Sequence, residues 1–264
     1  MSLLRAEGLG VRYGGVHANL DIDLEVAAGE LVGLIGPNGA GKTTLLDALT
    51  GFVSPSSGCV VFDGRDLARV TPSERAHLGL VRTFQSLELF EDLTVADNLR
   101  VAAQPASWRG VLADLFRPLR PSSVDDAVAE ALAGVGLQAQ ADLLPTELSH
   151  GHRMLVAIAR ALAARPRVVL LDEPGAGLDV DESQQLGSRL RGLVDAGMGA
   201  LLVDHDMDLV LGVCDRIVVL DFGRVIATGT PAEVAADPRV LAAYLGEAPG
   251  VDAADPVREE DVDG

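Results

Sequence analysis

The chain has 264 residues, 48% of them hydrophobic, and a formal net charge of -18. This hydrophobic content is enough for one large or two small folded domains, so disorder is not the default state. The negative charge repels phosphate backbones and argues against a broad nucleic-acid-binding face.

Neither export nor membrane insertion is predicted. The longest apolar runs are far shorter than the roughly 20 residues of a helix that crosses a bilayer. The first seven residues lack the basic and apolar regions of a secretory signal, which predicts a cytoplasmic protein. Cys59 and Cys214 are far apart in sequence and fit reduced core residues better than a disulfide framework.

The amino-terminal part predicts two antiparallel strands. Residues 3–13 and 16–26 are joined through Gly14 and Gly15, and the second segment alternates apolar and acidic residues. Such alternation is typical of a strand with one buried face. Three continuous apolar runs, at residues 31–35, 168–171 and 200–203, predict parallel strands that are covered on both faces.

The longer stretches between these runs have helical spacing, which indicates strand–helix units of the α/β class. Between residues 86 and 165 strand signals fade and alanine-rich helical patterns dominate. We therefore expect a helical subdomain inserted into the sheet. Residues 247–264 carry seven acidic residues against one arginine, which predicts a disordered acidic tail.

A phosphate-binding motif follows the first apolar run. Residues 36–43, Gly-Pro-Asn-Gly-Ala-Gly-Lys-Thr, match GxxxxGK[ST], and an apolar helix starts near Lys42. The glycines let backbone N–H groups surround the β- and γ-phosphates, and Thr43 can ligate magnesium. Lys42 is the single lysine among 21 basic residues, and a compact ammonium fits between phosphate oxygens. The alternative is a glycine-rich turn without a ligand.

Polar residues follow the other predicted strands. Asp172 and Glu173 end the second run at the carboxyl edge of the sheet, where ligands bind in open α/β folds. We expect Asp172 to hold magnesium and Glu173 to polarise the water that attacks the γ-phosphate. His205 follows the third run and would bind the γ-phosphate, and Gln85 would reach both metal and water. Each residue alone also fits a structural role, but together they favour a phosphoryl-transfer site.

The segment at residues 148–153, Leu-Ser-His-Gly-His-Arg, resembles the signature motif of ABC ATPases. Ser149 is a good N-cap for the following helix, so its hydroxyl either faces an anion or is an ordinary cap. The resemblance covers residues 3–246. It implies that this helix end meets the γ-phosphate held by the other subunit of a head-to-tail dimer.

The resemblance also implies ligands and roles, with ATP and magnesium as cofactors. Catalysis would use Glu173, His205 and Gln85, and magnesium would be held by Thr43, Gln85 and Asp172. Contacts across the dimer would come from Ser149, Gly151, His152 and, in the D-loop, Asp179. ATP would be bound by an adenine-stacking tyrosine and the phosphate loop: Tyr13, Gly36, Asn38, Gly39, Ala40, Gly41, Lys42, Thr43 and Thr44.

Two positions depart from the family pattern. His150 and His152 stand where a glycine and a glutamine are common. The serine and glycine contacts carry over, whereas the contact of the glutamine would pass to His152. Either the two histidines are solvated variants at an exposed helix start, or they have a pH-sensing role.

The predicted fold is α/β, a P-loop NTPase core with a RecA-like mixed or parallel sheet, as in ABC ATPases. An N-terminal antiparallel β subdomain and an inserted α-helical subdomain complete it. We expect one ABC ATPase domain over residues 1–246, with 1–85 and 166–246 as the catalytic core and 86–165 as the helical signature subdomain. Residues 247–264 form the tail.

Several stretches resemble the subunits that energise branched-chain amino acid uptake: 13–16, 82–85, 89–90, 93–95, 103–123, 205–210, 215–217, 237–240 and 243–246. The resemblance implies an ATP-hydrolysing importer subunit that is peripheral to the cytoplasmic face of a bacterial membrane. Its partners would be a second ABC ATPase, preferably a different one, and transmembrane permease subunits. A periplasmic or extracellular substrate-binding protein would be an indirect partner.

Other functions stay open at this point. The cargo of an ABC transporter of this type could instead be urea, another amide or lipopolysaccharide. A soluble ABC-type ATPase of DNA repair or translation is disfavoured by the single phosphate loop and the negative charge, so no nucleic-acid partner is expected. A catalytically inactive adaptor is disfavoured because Glu173 and His205 are both present.

Overall fold

The computed structural model describes residues 2–83, 89–103 and 123–245. Gln85, most of segment 103–123 and the predicted tail lie outside these residues. The strands are β1 (Ser2–Tyr13), β2 (Val16–Ala27), β3 (Leu31–Ile35), β4 (Ser57–Phe62), β5 (Arg65–Asp66), β6 (Leu80–Arg82), β7 (Val168–Asp172), β8 (Gly199–Val203), β9 (Arg216–Asp221) and β10 (Arg224–Gly229).

The helices separate and flank these strands. They are α1 (Lys42–Thr50), α2 (Pro72–His77), α3 (Val95–Ala103), α4 (Ser123–Val135), α5 (His150–Ala163), α6 (Val180–Asp195), α7 (Met207–Val213), α8 (Pro231–Ala235) and α9 (Pro238–Leu245). Thr71, Asp179 and Thr230 start α2, α6 and α8 with capping boxes, in which side chains satisfy the first backbone N–H groups. None of the described helices qualifies as a membrane-spanning segment.

A six-stranded sheet in the order β10-β9-β3-β8-β7-β6 forms the centre of the chain. Strands β6, β7, β8, β3 and β9 are parallel, and β10 runs antiparallel to β9. Every residue of β3, β7 and β8 is buried. Alternate side chains point to opposite faces of the sheet. Val169 and Leu171 pack into one hydrophobic cluster, and Val168 and Leu170 pack into the other. This arrangement explains the continuous apolar runs.

The second sheet is antiparallel, in the order β2-β1-β4-β5. Its apolar side packs with α1 and one face of the central sheet, as shown by Ile22, Leu24 and Leu46 in a shared cluster. Helices α3, α4 and α5 pack against one another on the other side of the molecule. The mixed central sheet, antiparallel sheet and helical layer confirm the predicted fold class. The division of the chain into domains stays a prediction.

The two cysteines differ in their surroundings. Both are free thiols, and Cys214 is buried, whereas Cys59 is only partly buried. The Cys59 sulfur lies 3.8 Å from Glu7 Oε2 on an exposed part of the antiparallel sheet. The prediction of two core thiols is therefore wrong for Cys59, because alternate residues of β4 face away from the core.

Candidate active site

The phosphate loop, residues 36–43, connects β3 to α1. Two of its glycines have no room for a side chain, because a Cβ at Gly36 would overlap the carbonyl oxygen of Leu220 and a Cβ at Gly41 that of Ala18. Their φ angles are 151° and 100°, in the region that glycine adopts without the steric cost of other residues. Packing against neighbouring strands therefore requires glycine at both positions.

Neighbouring elements hold this loop in place. Asn19 on β2 is fully buried, and its Nδ2 donates to the carbonyl oxygen of Gly41 over 3.1 Å. Gly223, in the turn between β9 and β10, donates its N–H to Ala40 O over 2.9 Å and accepts from Leu20 N–H at 2.8 Å. Asn19 was not predicted from the sequence, because the alternation of Ile22 with Leu24 and Val26 places it on the exposed face. A register shift between Asn19 and Ile22 turns it inward.

A cleft of about 440 Å³ lies over the phosphate loop. Its size suits a small-molecule ligand. Lys42 Nζ donates to the carbonyl oxygens of Gly36 and Pro37, at 2.5 and 3.0 Å, which holds the ammonium inside the loop. The cleft is lined by β2, the loop, the end of β7 and the β9–β10 turn: Val16, His17, Ala18, Asn38, Gly39, Ala40, Gly41, Lys42, Thr43, Thr44, Glu173, Phe222 and Gly223.

The carboxyl ends of the parallel strands meet at the edge that carries this cleft. Asp172 ends β7 and is buried, and Glu173 follows it as a lining residue of the cleft. Glu173 has a φ of 50°, which is uncommon for a residue other than glycine, and its N–H donates to Val203 O over 2.7 Å. Strained backbone of this kind persists where the surrounding structure holds it, and it clusters at functional sites.

Arg82 at the end of β6 joins Asp172 to α1. Its Nη2 donates to Asp172 Oδ2 over 2.8 Å, and its Nη1 donates to Asp47 Oδ1 over 2.5 Å. The Arg82 side chain is only 5% exposed. Neither Arg82 nor Asp47 was predicted from the sequence to belong to the site. The sequence feature that could have pointed to Arg82 is its position directly after the apolar pair Leu80-Val81, at the end of a strand.

The donor set fits magnesium. Asp172 offers a carboxylate, and Thr43 offers a hydroxyl at the start of α1, so both supply the oxygen ligands that magnesium prefers. The ion pair with Arg82 engages Oδ2 of Asp172, and the other carboxylate oxygen would accept from a water bound to magnesium. Magnesium takes one or two protein carboxylates and completes its shell with water and phosphate.

The remaining strand ends carry Gln85 and His205. Gln85 lies outside the described residues, but Thr83, two positions earlier, accepts the N–H of Asp172 with its Oγ1 at 3.2 Å. His205 follows β8, and its side chain is 71% exposed at the same sheet edge. The structure thus places Thr43, Asp172, Glu173 and His205 at one edge of the sheet.

The signature residues lie elsewhere on the chain. Ser149 caps α5, accepting the N–H of His152 at 3.3 Å, and its Oγ lies 2.8 Å from Nδ1 of the same histidine. Gly151 and His152 line a separate cavity of about 270 Å³ against α6. Asp179 caps α6 by accepting the N–H of Glu182 at 2.8 Å. These residues are therefore separate from the cleft over the chain's own phosphate loop.

Tyr13 ends β1, opposite Val16, and its side chain is exposed. The lining of the cleft includes Val16 but not Tyr13. Tyr13 thus pairs with a residue that lines the cleft, and its stacking on adenine stays a prediction. Phe222, an exposed aromatic residue in the β9–β10 turn, does line it.

Two family descriptions match the sequence. Residues 20–176 match "ABC transporter", and residues 224–249 match "Branched-chain amino acid ATP-binding cassette transporter". The first range contains the phosphate loop, the signature residues and the Asp172–Glu173 pair. The second contains β10, α8 and α9.

Characterised relatives align along nearly the whole chain. The high-affinity branched-chain amino acid transport ATP-binding protein LivG of Salmonella typhimurium is 39% identical over 252 residues, which cover 93% of this chain and 98% of LivG. The lipopolysaccharide export system ATP-binding protein LptB of Haemophilus influenzae is 37% identical over 247 residues, covering 94% of this chain and 98% of LptB.

Solved structures share the fold. The ADP conformation of an ATP-binding cassette of an ABC transporter superposes with a TM-score of 0.82 and 31% sequence identity, covering 94% of this chain and all of that one. Sequence, site geometry and architecture agree with one another. The chain belongs to the ABC transporter family, as an ATP-hydrolysing, ATP-binding subunit.

Proposed function

We propose that the chain energises an importer of branched-chain amino acids. The observation that supports branched-chain amino acids as the cargo is the match of residues 224–249 to the branched-chain amino acid cassette family. Sequence identity over the whole chain does not distinguish between amino acid and lipopolysaccharide cargo, because LivG at 39% and LptB at 37% are almost equally similar to this chain. The carboxy-terminal match supports this cargo because the matched family is described by branched-chain amino acid transport.

The proposed chemistry is in-line attack of water on the γ-phosphate of ATP. Lys42 and the backbone N–H groups of the phosphate loop bind the β- and γ-phosphates and stabilise the charge that develops. Glu173, at the rim of the cleft, polarises the attacking water, and His205 contacts the γ-phosphate from the next strand. Magnesium, held by Thr43, Gln85 and Asp172, supplies charge neutralisation on the phosphate oxygens.

The active unit in this proposal is a head-to-tail dimer. Ser149 and Gly151 lie apart from the chain's own phosphate cleft, which supports a role at the cleft of a second subunit. The start of α5 would direct its dipole and the Ser149 hydroxyl at that subunit's γ-phosphate. Asp179, at the start of α6, would face the same interface. We favour a different ABC ATPase as the partner.

Coupling to transport requires membrane partners. None of the described helices spans a bilayer, so closure of the dimer would act on separate permease subunits at the cytoplasmic face of the membrane. The contact would lie near Gln85 and the predicted helical subdomain of residues 86–165. A substrate-binding protein on the other side of the membrane would deliver the amino acid.

Trapping the dimer in its own host tests this proposal. The Glu173→Gln variant should bind ATP and hold the dimer closed, so that gentle purification from membranes recovers multi-span permeases and a second ATPase. Lys42→Ala is the matched control, because without phosphate binding it should recover no closed dimer. Recovery of ribosomes, DNA-repair factors or no membrane protein would contradict the proposal. ATP-dependent uptake of leucine by the reconstituted complex, compared with lipopolysaccharide export, tests the cargo.

A further inference from the structure

Asp204 is a buried carboxylate with no place in the mechanism above. It follows β8, and its side chain is 0% exposed. Its Oδ1 accepts the backbone N–H groups of His205 at 2.8 Å and Asp206 at 3.0 Å. Its Oδ2 accepts the N–H of Gly175 at 2.8 Å. The two oxygens therefore join the turn that carries His205 to the turn that follows Glu173.

The contact with Gly175 is tight. A Cβ on Gly175 would lie 2.9 Å from Asp204 Oδ2. Glu173 lies two residues earlier, and its carbonyl oxygen accepts the N–H of Ala176 at 3.2 Å. The backbone of Glu173 thus belongs to a short turn whose far side is held by Asp204.

The imidazole of His205 is within reach of the same carboxylate. Its Nδ1 lies 3.4 Å from Asp204 Oδ1, within the distance of an ion pair. A carboxylate that accepts Nδ1–H determines the tautomer and orientation of a histidine and leaves Nε2 for another ligand. Here that ligand would be a nucleotide phosphate.

We propose that Asp204 is a positioning residue, which sets His205 and the turn after Glu173 as one unit. The inference rests on the proposed function, because Asp204 would act through the two residues assigned to the γ-phosphate and the attacking water. A shift of Asp204 would move both groups together. Positioning of this kind matters, since a displacement of about 1 Å in a reacting group can cost on the order of 100-fold in rate.

Asp206 provides a matched comparison on the other side of His205. Its Oδ1 accepts the N–H groups of Asp208 and Leu209, and its Oδ2 accepts the hydroxyl of Ser183 at 2.9 Å. Asparagine at 206 keeps the oxygen for the cap and donates its amide to Ser183, because a hydroxyl also accepts. Asparagine at 204 must turn its NH₂ group toward a backbone N–H, which cannot accept. Asp204→Asn therefore breaks a hydrogen bond to a backbone N–H group, whereas Asp206→Asn keeps all of its hydrogen bonds.

Steady-state ATP hydrolysis tests the inference. The proteins compared are wild type, Asp204→Asn, Asp206→Asn, His205→Ala and the double variant of Asp204 and His205. Asp204→Asn should lower kcat at least about tenfold with KM within about twofold, and Asp206→Asn should stay within about twofold of wild type. In the His205→Ala background, Asp204→Asn should cost less than it does in wild type, because the part of its effect that passes through His205 is already lost. Equal losses in both backgrounds, or equal effects of the two asparagine variants, would overturn it.

A second readout does not depend on turnover. ¹⁵N chemical shifts of the His205 imidazole should show a larger Nδ1–H population in wild type than in Asp204→Asn, and Asp206→Asn should match wild type. Unchanged shifts in Asp204→Asn contradict the inference even if hydrolysis falls. If Asp204→Asn fails to fold, Gly175→Ala perturbs the same contact from the other turn and should give the same loss of kcat. Absence of hydrolysis by wild type would instead refute the proposed function, and the imidazole shifts would still decide on Asp204.

Discussion

Arg82 donates from Nη2 to Oδ2 of Asp172 over 2.8 Å, deep in the sheet edge that carries the phosphate cleft. The two side chains are 5% and 10% exposed. Arg82 also donates to Asp47 on α1, so one guanidinium pairs with two carboxylates from different elements. The predicted magnesium ligand is thereby held in place by a residue three positions before Gln85.

Arg82→Met should destabilise the fold by about 3 kcal/mol, because removing one partner of a buried ion pair leaves an uncompensated carboxylate. Urea unfolding followed by circular dichroism measures this difference. Arg100→Met is the matched control, since Arg100 pairs with Asp97 and Asp125 at the surface and exposed pairs contribute less than about 1 kcal/mol. Equal losses of unfolding free energy in the two variants would show that the buried ion pairs of Arg82 contribute no more stability than the exposed pairs of Arg100.

Gly41→Ala should destabilise the chain more than Gly39→Ala. Both glycines have positive φ, but a Cβ at Gly39 meets nothing within 4 Å, while one at Gly41 overlaps Ala18 O. Gly39→Ala should therefore cost about 1 kcal/mol from backbone strain alone. Gly41→Ala adds overpacking of about 1–3 kcal/mol. Urea unfolding of the two variants checks the order, and a larger loss for Gly39→Ala would contradict the loop geometry.

The two thiols should differ in reactivity. Burial raises the pKa of Cys214 to about 12, so the thiolate that reacts is almost absent at pH 8. Burial and the nearby Glu7 also raise the pKa of Cys59, but this thiol is partly exposed. A maleimide at pH 8 should modify Cys59 in the folded chain and reach Cys214 only after unfolding. Mass spectrometry of Cys59→Ser should then show no rapid modification.

Asp215 should contribute stability that is lost in acid. Burial raises its pKa, but hydrogen bonds from Leu31 N–H and Arg191 outweigh burial and hold the pKa below its ordinary value. The folded state thus favours the charged form. This stabilisation is present above the unfolded pKa of about 3.9 and disappears as pH falls through the lower folded value.

The difference in unfolding free energy between wild type and Asp215→Asn should therefore narrow from pH 7 to pH 3. Urea titrations at pH 7, 5, 4 and 3 measure it. A difference that stays constant over this range would mean that the carboxylate charge of Asp215 contributes nothing to stability.

Much of the fold follows from local patterns. The apolar runs gave the three central strands to within one residue, because strands covered on both faces must be apolar throughout. The alternation in residues 16–26 predicted β2, because a strand with one buried and one solvated face alternates apolar and polar residues. Strands β4, β9 and β10 were not assigned, although residues 217–220 form an apolar run of the same kind.

The site could be predicted only where its residues share a motif or a strand end. Arg82 is 35 residues from Asp47 and 90 from Asp172, and sequence spacing gives no sign of such pairs. The same holds for Asp204 and Gly175, which meet only because their strands are neighbours in the sheet. Tyr13 was assigned from the resemblance alone, and in the structure it pairs with Val16, which lines the cleft.

The central claim is that Glu173 drives ATP hydrolysis in a cleft built around Lys42. The most direct test is magnesium-dependent release of phosphate from ATP by wild type and Glu173→Gln, with ATP binding measured in parallel on the same samples. The account predicts that Glu173→Gln binds ATP within about twofold of wild type and hydrolyses it at least about 100-fold more slowly, as expected for loss of a general base. Hydrolysis at the wild-type rate in Glu173→Gln would contradict the account.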